Sequence, residues 1–247
     1  MVVMCKKHNI DYENQPGGIG LYVVCPECQK EAEVRERERW QENNRAMILA
    51  ELRGMNIEPE YMAATLGNFI TTSPELRKNV EQVRRLIGGE LRELVMIGKN
   101  GTGKTHLAVA AVKELKGKIY SMYEISTRIR STYTQRAKED ELSVVDELAR
   151  TPLLAIDEIG RTKGSGAELD WLSYIIDKRH VRNIPTILIS NKHLKKNCPE
   201  SGCPNCFDNY IGEDVMSRLF EEGLVLHFNG DDYRKRPRQA QKQGVTV

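Results

Sequence analysis

The sequence predicts a three-layer α/β fold built on a parallel sheet, and three features of the chain support this. Short apolar runs alternate with helix-forming segments over most of its length. The glycine-rich stretch Gly98-Lys-Asn-Gly-Thr-Gly-Lys-Thr105 follows one of these runs and precedes a helix-forming segment. A later run, Leu153-Leu-Ala-Ile-Asp157-Glu158, ends in two carboxylates. This ending is typical of a buried parallel strand whose C-terminal end carries the active site.

Composition limits the class of protein. The chain has 247 residues, of which 29% are charged and 40% hydrophobic, and its formal net charge is +2. No apolar run approaches the roughly 20 residues needed to span a bilayer, and the first residues lack the apolar stretch of a signal peptide. We therefore expect a cytoplasmic protein with no membrane partner. Any nucleic-acid binding must come from a local basic patch.

The chain is expected to divide into four parts. Residues 1–30 are predicted to form a small zinc-binding module and residues 31–70 a helical linker. Residues 71–236 form the nucleotide-binding domain, with a Cys-rich insertion at 192–210, and residues 237–247 form a basic flexible tail.

The first module is predicted from its cysteine spacing. Cys5 and His8 form one short ligand pair, and Cys25 and Cys28 form another. Two such pairs brought together across a loop give the closed Cys3His geometry of a structural zinc site. A segment this small has too little apolar surface to fold unaided, so the metal is expected to stabilise it.

Two helices are expected before the glycine-rich stretch. Residues 29–53 are rich in Glu and Arg and predict one long, solvated helix. We interpret it as a spacer, although Trp40 leaves a partner-binding role open because an exposed tryptophan is unusual. Residues 57–70 are expected to be a connecting stretch between the two helices. Ser73-Pro74-Glu75 is a typical helix start, and that helix should end near Gly88.

The glycine-rich stretch has the full Gly-x4-Gly-Lys-Thr pattern of a phosphate-binding loop. Its glycines let backbone amides turn inward around a phosphate, Lys104 reaches the outer phosphates, and Thr105 can coordinate Mg²⁺. The helix expected over residues 105–116 directs its positive end at the same anion. The predicted ATP-binding residues are Gly98, Lys99, Asn100, Gly101, Thr102, Gly103, Lys104 and Thr105.

Later strands supply the other catalytic candidates. Asp157 is expected to hold Mg²⁺ directly or through water, and Glu158 to polarise the attacking water. The strand expected at residues 185–191 ends in Asn191, which is suited to orient water beside the γ-phosphate. The other predicted elements are a strand at 118–123, helices at 124–138, 142–150, 167–181 and 212–222, and a strand at 224–228.

The insertion contains a second candidate zinc site. Its ligands are His193, Cys198, Cys203 and Cys206, with looser spacing than in the first group.

Two other phosphate-loop classes fit the sequence less well. Asp157-Glu-Ile-Gly160 and Asn191-Lys192 match parts of the GTPase motifs, but Leu194 stands where the guanine-reading aspartate would be. A small-molecule kinase should have an arginine-rich lid, and none is evident. The Asp-Glu pair at a strand end favours ATP hydrolysis.

Four motifs together resemble the AAA+ ATPases of the bacterial and phage helicase-loader group, the DnaC and DnaI type. They are Gly98 to Ala108, Ala155-Ile-Asp-Glu-Ile-Gly160, Ile189-Ser-Asn191 and Gly212-Glu-Asp-Val-Met-Ser-Arg218. The resemblance runs from about residue 40 to 236, and IstB transposition ATPases share the same core. The fold it implies is a P-loop NTPase of the AAA+ type.

The resemblance implies several residue roles. Arg218 matches the arginine finger that completes a neighbouring subunit's ATP site, so self-association through that site is expected. Arg234 matches the second sensor arginine. Arg128, Arg130 and Tyr133 lie where these proteins bind single-stranded DNA, although Tyr133 also suits simple helix packing. The insertion with Cys198 to Cys206 has no counterpart in the DnaC or DnaI type.

The expected function is therefore ATP-dependent loading of a hexameric replicative helicase onto single-stranded DNA, with ATP, Mg²⁺ and Zn²⁺ as cofactors. Two alternatives remain open. One is an IstB-like helper that delivers a transposase to target DNA. The other is a zinc-module adaptor that uses ATP only as a structural ligand.

Overall fold

The computed structural model describes residues 2–13, 25–134, 137–161, 165–200, 202–221 and 223–235. The chain divides into two compact units, Met1–Glu51 and Leu52–Val247. The domain boundaries predicted from the sequence fall elsewhere and stay a prediction. The predicted tail at 237–247 and the middle of the predicted zinc module, residues 14–24, lie outside the described residues.

The first unit contains a short hairpin that the sequence analysis did not predict. Strands β1 (Val2–Met4) and β2 (Asp11–Glu13) pair antiparallel, with Val3 opposite Tyr12. Helix α1 (Pro26–Gly54) follows and begins three residues before the predicted start, so it includes Cys28. The one buried side chain of this helix is Leu52, which already belongs to the second unit, and this agrees with the predicted solvated character of the helix.

The second unit contains a five-stranded parallel sheet with helices on both faces, as predicted. Its strands lie in the order β4-β5-β6-β3-β7. The elements are α2 (Pro74–Ile87), β3 (Glu93–Gly98), α3 (Lys104–Glu114), β4 (Lys118–Ser121), α4 (Met122–Ser131), α5 (Glu141–Arg150), β5 (Leu154–Ile159), α6 (Gly166–Val181), β6 (Thr186–Ser190), α7 (Phe207–Ile211), α8 (Glu213–Glu221) and β7 (Gly223–Phe228).

The sheet is buried on both faces, which explains the continuous apolar runs of its strands. Alternate residues of β3 face opposite cores: Leu94 and Met96 join the core with α2 and α3, whereas Val95 and Ile97 join the core with α4, α5, α6 and α8. Among the described residues, no helix has both the length and the apolar character needed to traverse a bilayer.

The strand order positions the predicted catalytic residues. β6 lies between β3 and β5, and all three strands are parallel. Their C-terminal ends therefore meet at one edge of the sheet, where the phosphate loop follows β3, Asp157 lies near the end of β5 and Asn191 follows β6.

Helix starts follow local side-chain chemistry. Ser73 caps α2 by accepting a hydrogen bond from the Leu76 amide. A capping box of Ser121 and Glu124 starts α4 directly after β4, so the predicted strand at 118–123 ends two residues early. The predicted helix at 124–138 correspondingly starts at Met122 and ends at Ser131.

Candidate nucleotide and metal sites

The phosphate loop joins β3 to α3 and depends on its glycines. Gly101 and Gly103 have φ values of 72° and 95°, in the left-handed region that glycine adopts without strain. A Cβ on Gly103 would lie 2.5 Å from the Phe69 ring, and one on Gly101 would lie 1.7 Å from Asp232 Oδ1. Other parts of the chain therefore pack closely against the loop.

Lys104 is held inside this loop. Its Nζ donates to the carbonyl oxygens of Gly98 and Lys99, each at 2.7 Å. Burial lowers the pKa of Lys104 to about 8. The Asp157 carboxylate opposes this shift in part, and the positive charge of Arg234 adds a smaller lowering effect. An anion in the loop would favour the charged form of this lysine.

The two predicted Mg²⁺ ligands contact each other directly. Thr105 Oγ1 donates to Asp157 Oδ2 at 2.7 Å. Adjacent ligands of an octahedral Mg²⁺, with bonds of about 2.1 Å, lie about 3 Å apart, so this hydroxyl and carboxylate fit the ion after a small adjustment.

Glu158 has an unusual backbone conformation at the end of β5. Its φ is 59°, which costs energy for a residue other than glycine and is often associated with functional sites. Its amide donates to Asp157 Oδ1 at 2.6 Å, and its carboxylate pairs with Arg161.

A cavity of about 410 Å³ opens over the loop. The predicted residues in its wall are Asn100, Gly101, Thr102, Gly103, Lys104, Thr105, Asp157, Glu158, Asn191 and Arg234. The fold therefore brings the loop, the end of β5, Asn191 and Arg234 to one site. Arg218 does not line this cavity.

The sequence analysis missed one wall of the cavity, which it treated as a connector. Tyr61, Asn68 and Phe69 line the site. Burial raises the pKa of Tyr61, and the nearby Arg234 and Thr105 oppose part of this rise. The aromatic residues of the segment were the available signal, but nothing local indicated what they would contact.

Helix α3 holds this segment in place. His106 Nε2 lies 3.0 Å from the Thr65 carbonyl oxygen, and Lys113 Nζ donates to the carbonyl oxygens of Met62 and Ala64 at 2.7 and 2.9 Å. Burial lowers the pKa of His106. These contacts fix an aromatic wall beside the phosphate loop, as suits a nucleotide base.

Residues predicted to bind DNA or to reach a neighbouring subunit are paired within the chain. Arg128 contacts Glu139 and Glu147, Arg130 contacts Glu168, and the Tyr133 hydroxyl contacts Glu141. Arg218 pairs with Asp177 on α6. Single-stranded-DNA binding and the arginine-finger role stay predictions, and each requires exchanging these carboxylates for phosphate.

The first predicted metal group comes together in the N-terminal unit. Its four ligand atoms lie within 4.8 Å of one another. His8 Nδ1 lies 3.6 Å from Cys5 Sγ, 3.7 Å from Cys25 Sγ and 3.3 Å from Cys28 Sγ. Zn–S bonds of about 2.3 Å and a Zn–N bond of about 2.1 Å at tetrahedral angles imply separations of about 3.5–3.8 Å. The arrangement fits zinc.

Local structure and an outer carboxylate support this first group. Cys5 and His8 lie in the hairpin turn, where the Asn9 amide donates to the Cys5 carbonyl oxygen at 2.8 Å. Cys25 and Cys28 lie at the start of α1. His8 Nε2 is 3.0 Å from Glu31 Oε1. A carboxylate on the second nitrogen of a ligating histidine fixes the ring and strengthens it as a ligand.

The second predicted group also comes together, within the larger unit. The ligand atoms of His193, Cys198, Cys203 and Cys206 lie within 4.8 Å of one another. His193 Nε2 is 3.8 Å from Cys203 Sγ and 3.3 Å from Cys206 Sγ. Both of these cysteines are buried.

Comparison with known proteins agrees with this geometry. The family model described as "IstB-like ATP binding protein" matches residues 36–241. The chain belongs to this family of ATP-binding proteins. The match includes the phosphate loop, both carboxylates of β5 and the second Cys3His group.

Two curated relatives of this IstB-like chain have different described roles. The replicative helicase loader DnaC of Escherichia coli K12 is 27% identical over 218 residues, which cover 84% of each chain. An ATP-binding protein of insertion sequence IS5376 from Geobacillus stearothermophilus is 26% identical over 61% of this chain and 58% of that protein. A crystal structure of the DnaC helicase loader has a TM-score of 0.58 at 21% identity, covering 70% of this chain and 100% of that one. The fold is therefore that of a P-loop AAA+ ATPase, as predicted.

Proposed function

We propose that this protein is an ATP-dependent helicase loader. In this proposal it binds a hexameric replicative DNA helicase in the cytoplasm and places it on single-stranded DNA during replication initiation. The observation that carries the proposal is the similarity to the E. coli helicase loader over 84% of both chains, together with ten of the predicted ATP-site residues around one cavity.

Nucleotide binding is assigned to the phosphate loop and its aromatic wall. The loop amides and Lys104 would bind the phosphates, and the partners of the lysine would change from the Gly98 and Lys99 carbonyl oxygens to phosphate oxygens. Tyr61 and Phe69 would exclude water beside the base. Thr105 and Asp157 would hold Mg²⁺, which neutralises charge on the phosphates.

Hydrolysis is assigned to Glu158 and Asn191. Glu158 would accept a proton from the attacking water once it leaves Arg161, and Asn191 would orient the same water. Arg234 already lies in the cavity wall and would contact phosphate oxygens within the same chain. Arg218 lies outside that wall, so its proposed role requires a neighbouring copy of the chain.

ATP would control which partner surface is favoured. Nucleotide can shift such an equilibrium only as far as the two states bind the helicase and DNA differently. We assign helicase docking to the first unit, where zinc bound by the Cys3His group would order the hairpin turn and the start of α1. To bind single-stranded DNA, Arg128, Arg130 and Tyr133 would first release their present carboxylate partners and then contact the DNA backbone.

A transposition helper is the second candidate, favoured by the relative from insertion sequence IS5376. The two candidates share ATP chemistry and differ in partner. A test must therefore measure partner binding directly.

We would mix the protein with the replicative helicase of its own organism in the presence of ATP and zinc. The mass of the complex is then measured by light scattering after size exclusion. We expect a stoichiometric complex that is lost in Cys25→Ser/Cys28→Ser, because the docking unit loses two metal ligands. ATP binding by this variant should persist, which serves as its folding control. Absence of a complex, while the protein still assembles on DNA with ATP, would refute the loader proposal and favour the transposition helper.

A further inference from the structure

The second Cys3His group lies beside the hydrolytic edge of the ATP site. His193 follows Asn191 by two residues, and both come directly after β6. The two ends of the group are joined by a parallel bridge between His193 and Cys206. Because this bridge brings the first and last ligands side by side, four ligands spread over fourteen residues can meet at one point.

We propose that this group is a structural zinc site that positions Asn191 and the turn after β5 for ATP hydrolysis. The metal-binding part stands on the geometry of the group alone. The positioning part rests on the proposed ATPase function. Zinc in a closed four-ligand site supplies rigidity and takes no part in the chemistry.

The separations between ligand atoms fit the metal. His193 Nε2 lies 3.8 and 3.3 Å from the sulfurs of Cys203 and Cys206, close to the spacing of about 3.5–3.8 Å that tetrahedral zinc requires. Cys206 is fully buried and Cys203 is 4% exposed. Cys198 is partly exposed and lies at the rim. The rim position gives a ligand that can be replaced with little disturbance of the core.

Backbone hydrogen bonds join the group to the strand end. The His193 amide donates to the Asn205 carbonyl oxygen at 3.2 Å, and the Phe207 amide donates to the His193 carbonyl oxygen at 2.7 Å. Phe207 is fully buried in the core that contains α4, α5 and α6. The chain just after Asn191 is therefore tied to the Cys203–Cys206 turn, and that turn is anchored in the core.

Lys192 connects the same turn to β5. Its Nζ donates to the Pro204 carbonyl oxygen at 2.6 Å and lies 5.2 Å from the centre of the Tyr210 ring. Its aliphatic part covers Gly160, where an added Cβ would lie 2.1 Å from Lys192 Cε. Gly160 is two residues beyond Glu158. Movement of the Cys203–Cys206 turn would therefore reach the catalytic glutamate as well as Asn191.

The phosphate-binding residues are connected differently. The loop is held by Phe69 and by Asp232, and Thr105 is held by Asp157. None of these contacts includes the insertion. Loss of the second metal should thus slow hydrolysis and leave nucleotide affinity nearly unchanged.

Zinc content tests the metal-binding part. The full-length protein, Cys198→Ser and Cys25→Ser/Cys28→Ser are purified without chelator, and zinc per chain is measured by inductively coupled plasma mass spectrometry. We expect two ions in the parent and one in each variant, since each Cys3His group binds one. Cobalt(II) in place of zinc should give a tetrahedral spectrum that Cys198→Ser weakens. Equal zinc content in the parent and in Cys198→Ser would overturn the site.

Hydrogen exchange tests the positioning part without relying on activity. In Cys198→Ser we expect faster amide exchange at residues 158–161 and 190–194, with unchanged exchange in the phosphate loop and in α3. Unchanged exchange at residues 158–161 and 190–194 in a variant that has lost the metal would overturn the positioning role. Circular dichroism checks that Cys198→Ser stays folded.

Turnover then separates this inference from the proposed function. We expect Cys198→Ser to lower kcat by about tenfold, in line with the loss of supporting interactions around a site, with the Kd for ADP within about twofold. Glu81→Gln, which changes an exposed carboxylate on α2 that pairs with Arg84, should leave both values near those of the parent. An inactive parent protein would contradict the proposed ATPase function. An active parent with a fully active, metal-depleted Cys198→Ser would contradict the positioning role alone.

Discussion

The two Cys3His groups share a ligand set and differ in their surroundings. In the first unit, most of α1 is solvent-exposed, and the ligands themselves are a main link between the hairpin turn and the helix. In the second unit, Cys203 and Cys206 lie beside the buried Phe207, within a unit that has two large apolar cores. The same metal should therefore stabilise a whole fold in one place and a single loop in the other.

The largest effect is expected from a variant that changes catalysis and leaves both metal groups intact. Glu158→Gln should lower kcat for ATP by about 10²–10⁴-fold, because the variant removes the proposed general base. The Kd for nucleotide and the zinc content should stay unchanged. Phosphate release measures kcat, and zinc analysis on the same preparation measures the zinc content.

Glu81→Gln is the matched control for this prediction. Glu81 is an exposed carboxylate on α2 that pairs with Arg84, and its replacement should not alter turnover. If Glu158→Gln turned over ATP like the parent, the catalytic assignment would be wrong. A parent with no ATPase activity that still forms the helicase complex would instead favour the adaptor alternative.

A smaller effect is expected from the outer sphere of the first group. Glu31→Gln removes the carboxylate that contacts His8 Nε2 and should weaken zinc binding by about 10–100-fold. Competition with a chromophoric chelator measures this affinity. The second group should retain its zinc, because Glu31 belongs to the other unit.

Glu33→Gln provides the control on the same helix. Glu33 is exposed and accepts a hydrogen bond from Gln29 without contacting a predicted zinc ligand. Equal zinc affinity in both variants would show that the Glu31 contact does not support the first metal group.

The smallest expected effect is a pH dependence of nucleotide affinity, which involves the second unit alone. The pKa of Lys104 is lowered from 10.5 to about 8, so the nucleotide-free protein loses this proton as pH rises through that value. Phosphate favours the charged lysine, so binding is coupled to proton uptake above about pH 8. Nucleotide affinity should fall by up to about tenfold per pH unit there. Titrations with a fluorescent ADP analogue between pH 7 and 9.5 measure it.

The same shift has the opposite sign for stability. Between about pH 8 and 10.5 the unfolded chain keeps the lysine proton that the folded chain has lost, so the contribution of Lys104 to the free energy of unfolding increases with pH. Lys104→Arg is the control for binding, because a guanidinium stays charged throughout this range. A flat affinity profile for the parent would contradict the assigned pKa.

Sequence patterns predicted the parts of this protein whose chemistry is local. The phosphate loop, the Asp157-Glu158 strand end and both Cys3His groups are each defined by residue types at short spacing. The five strands were predicted because a sheet covered on both faces needs continuous apolar runs. The short hairpin of β1 and β2 was missed, since strands of three residues carry little periodic signal.

Tertiary packing decided what surrounds those motifs. It turned residues 57–70 from an expected connector into a wall of the ATP cavity, through contacts of Phe69 with Gly103 and of His106 with Thr65. It also paired Arg128, Arg130 and Arg218 with carboxylates on other elements.

Local sequence patterns therefore predicted the candidate metal ligands, the phosphate loop and the class of fold, because backbone freedom and ligand type act within a few residues. Only the tertiary structure determined which distant side chains complete the site. Those contacts depend on how helices and loops cover the two faces of the sheet. No local sequence pattern predicts contacts between residues that lie far apart in the chain. The link from the second Cys3His group through Lys192 to Gly160 is one of these long-range contacts.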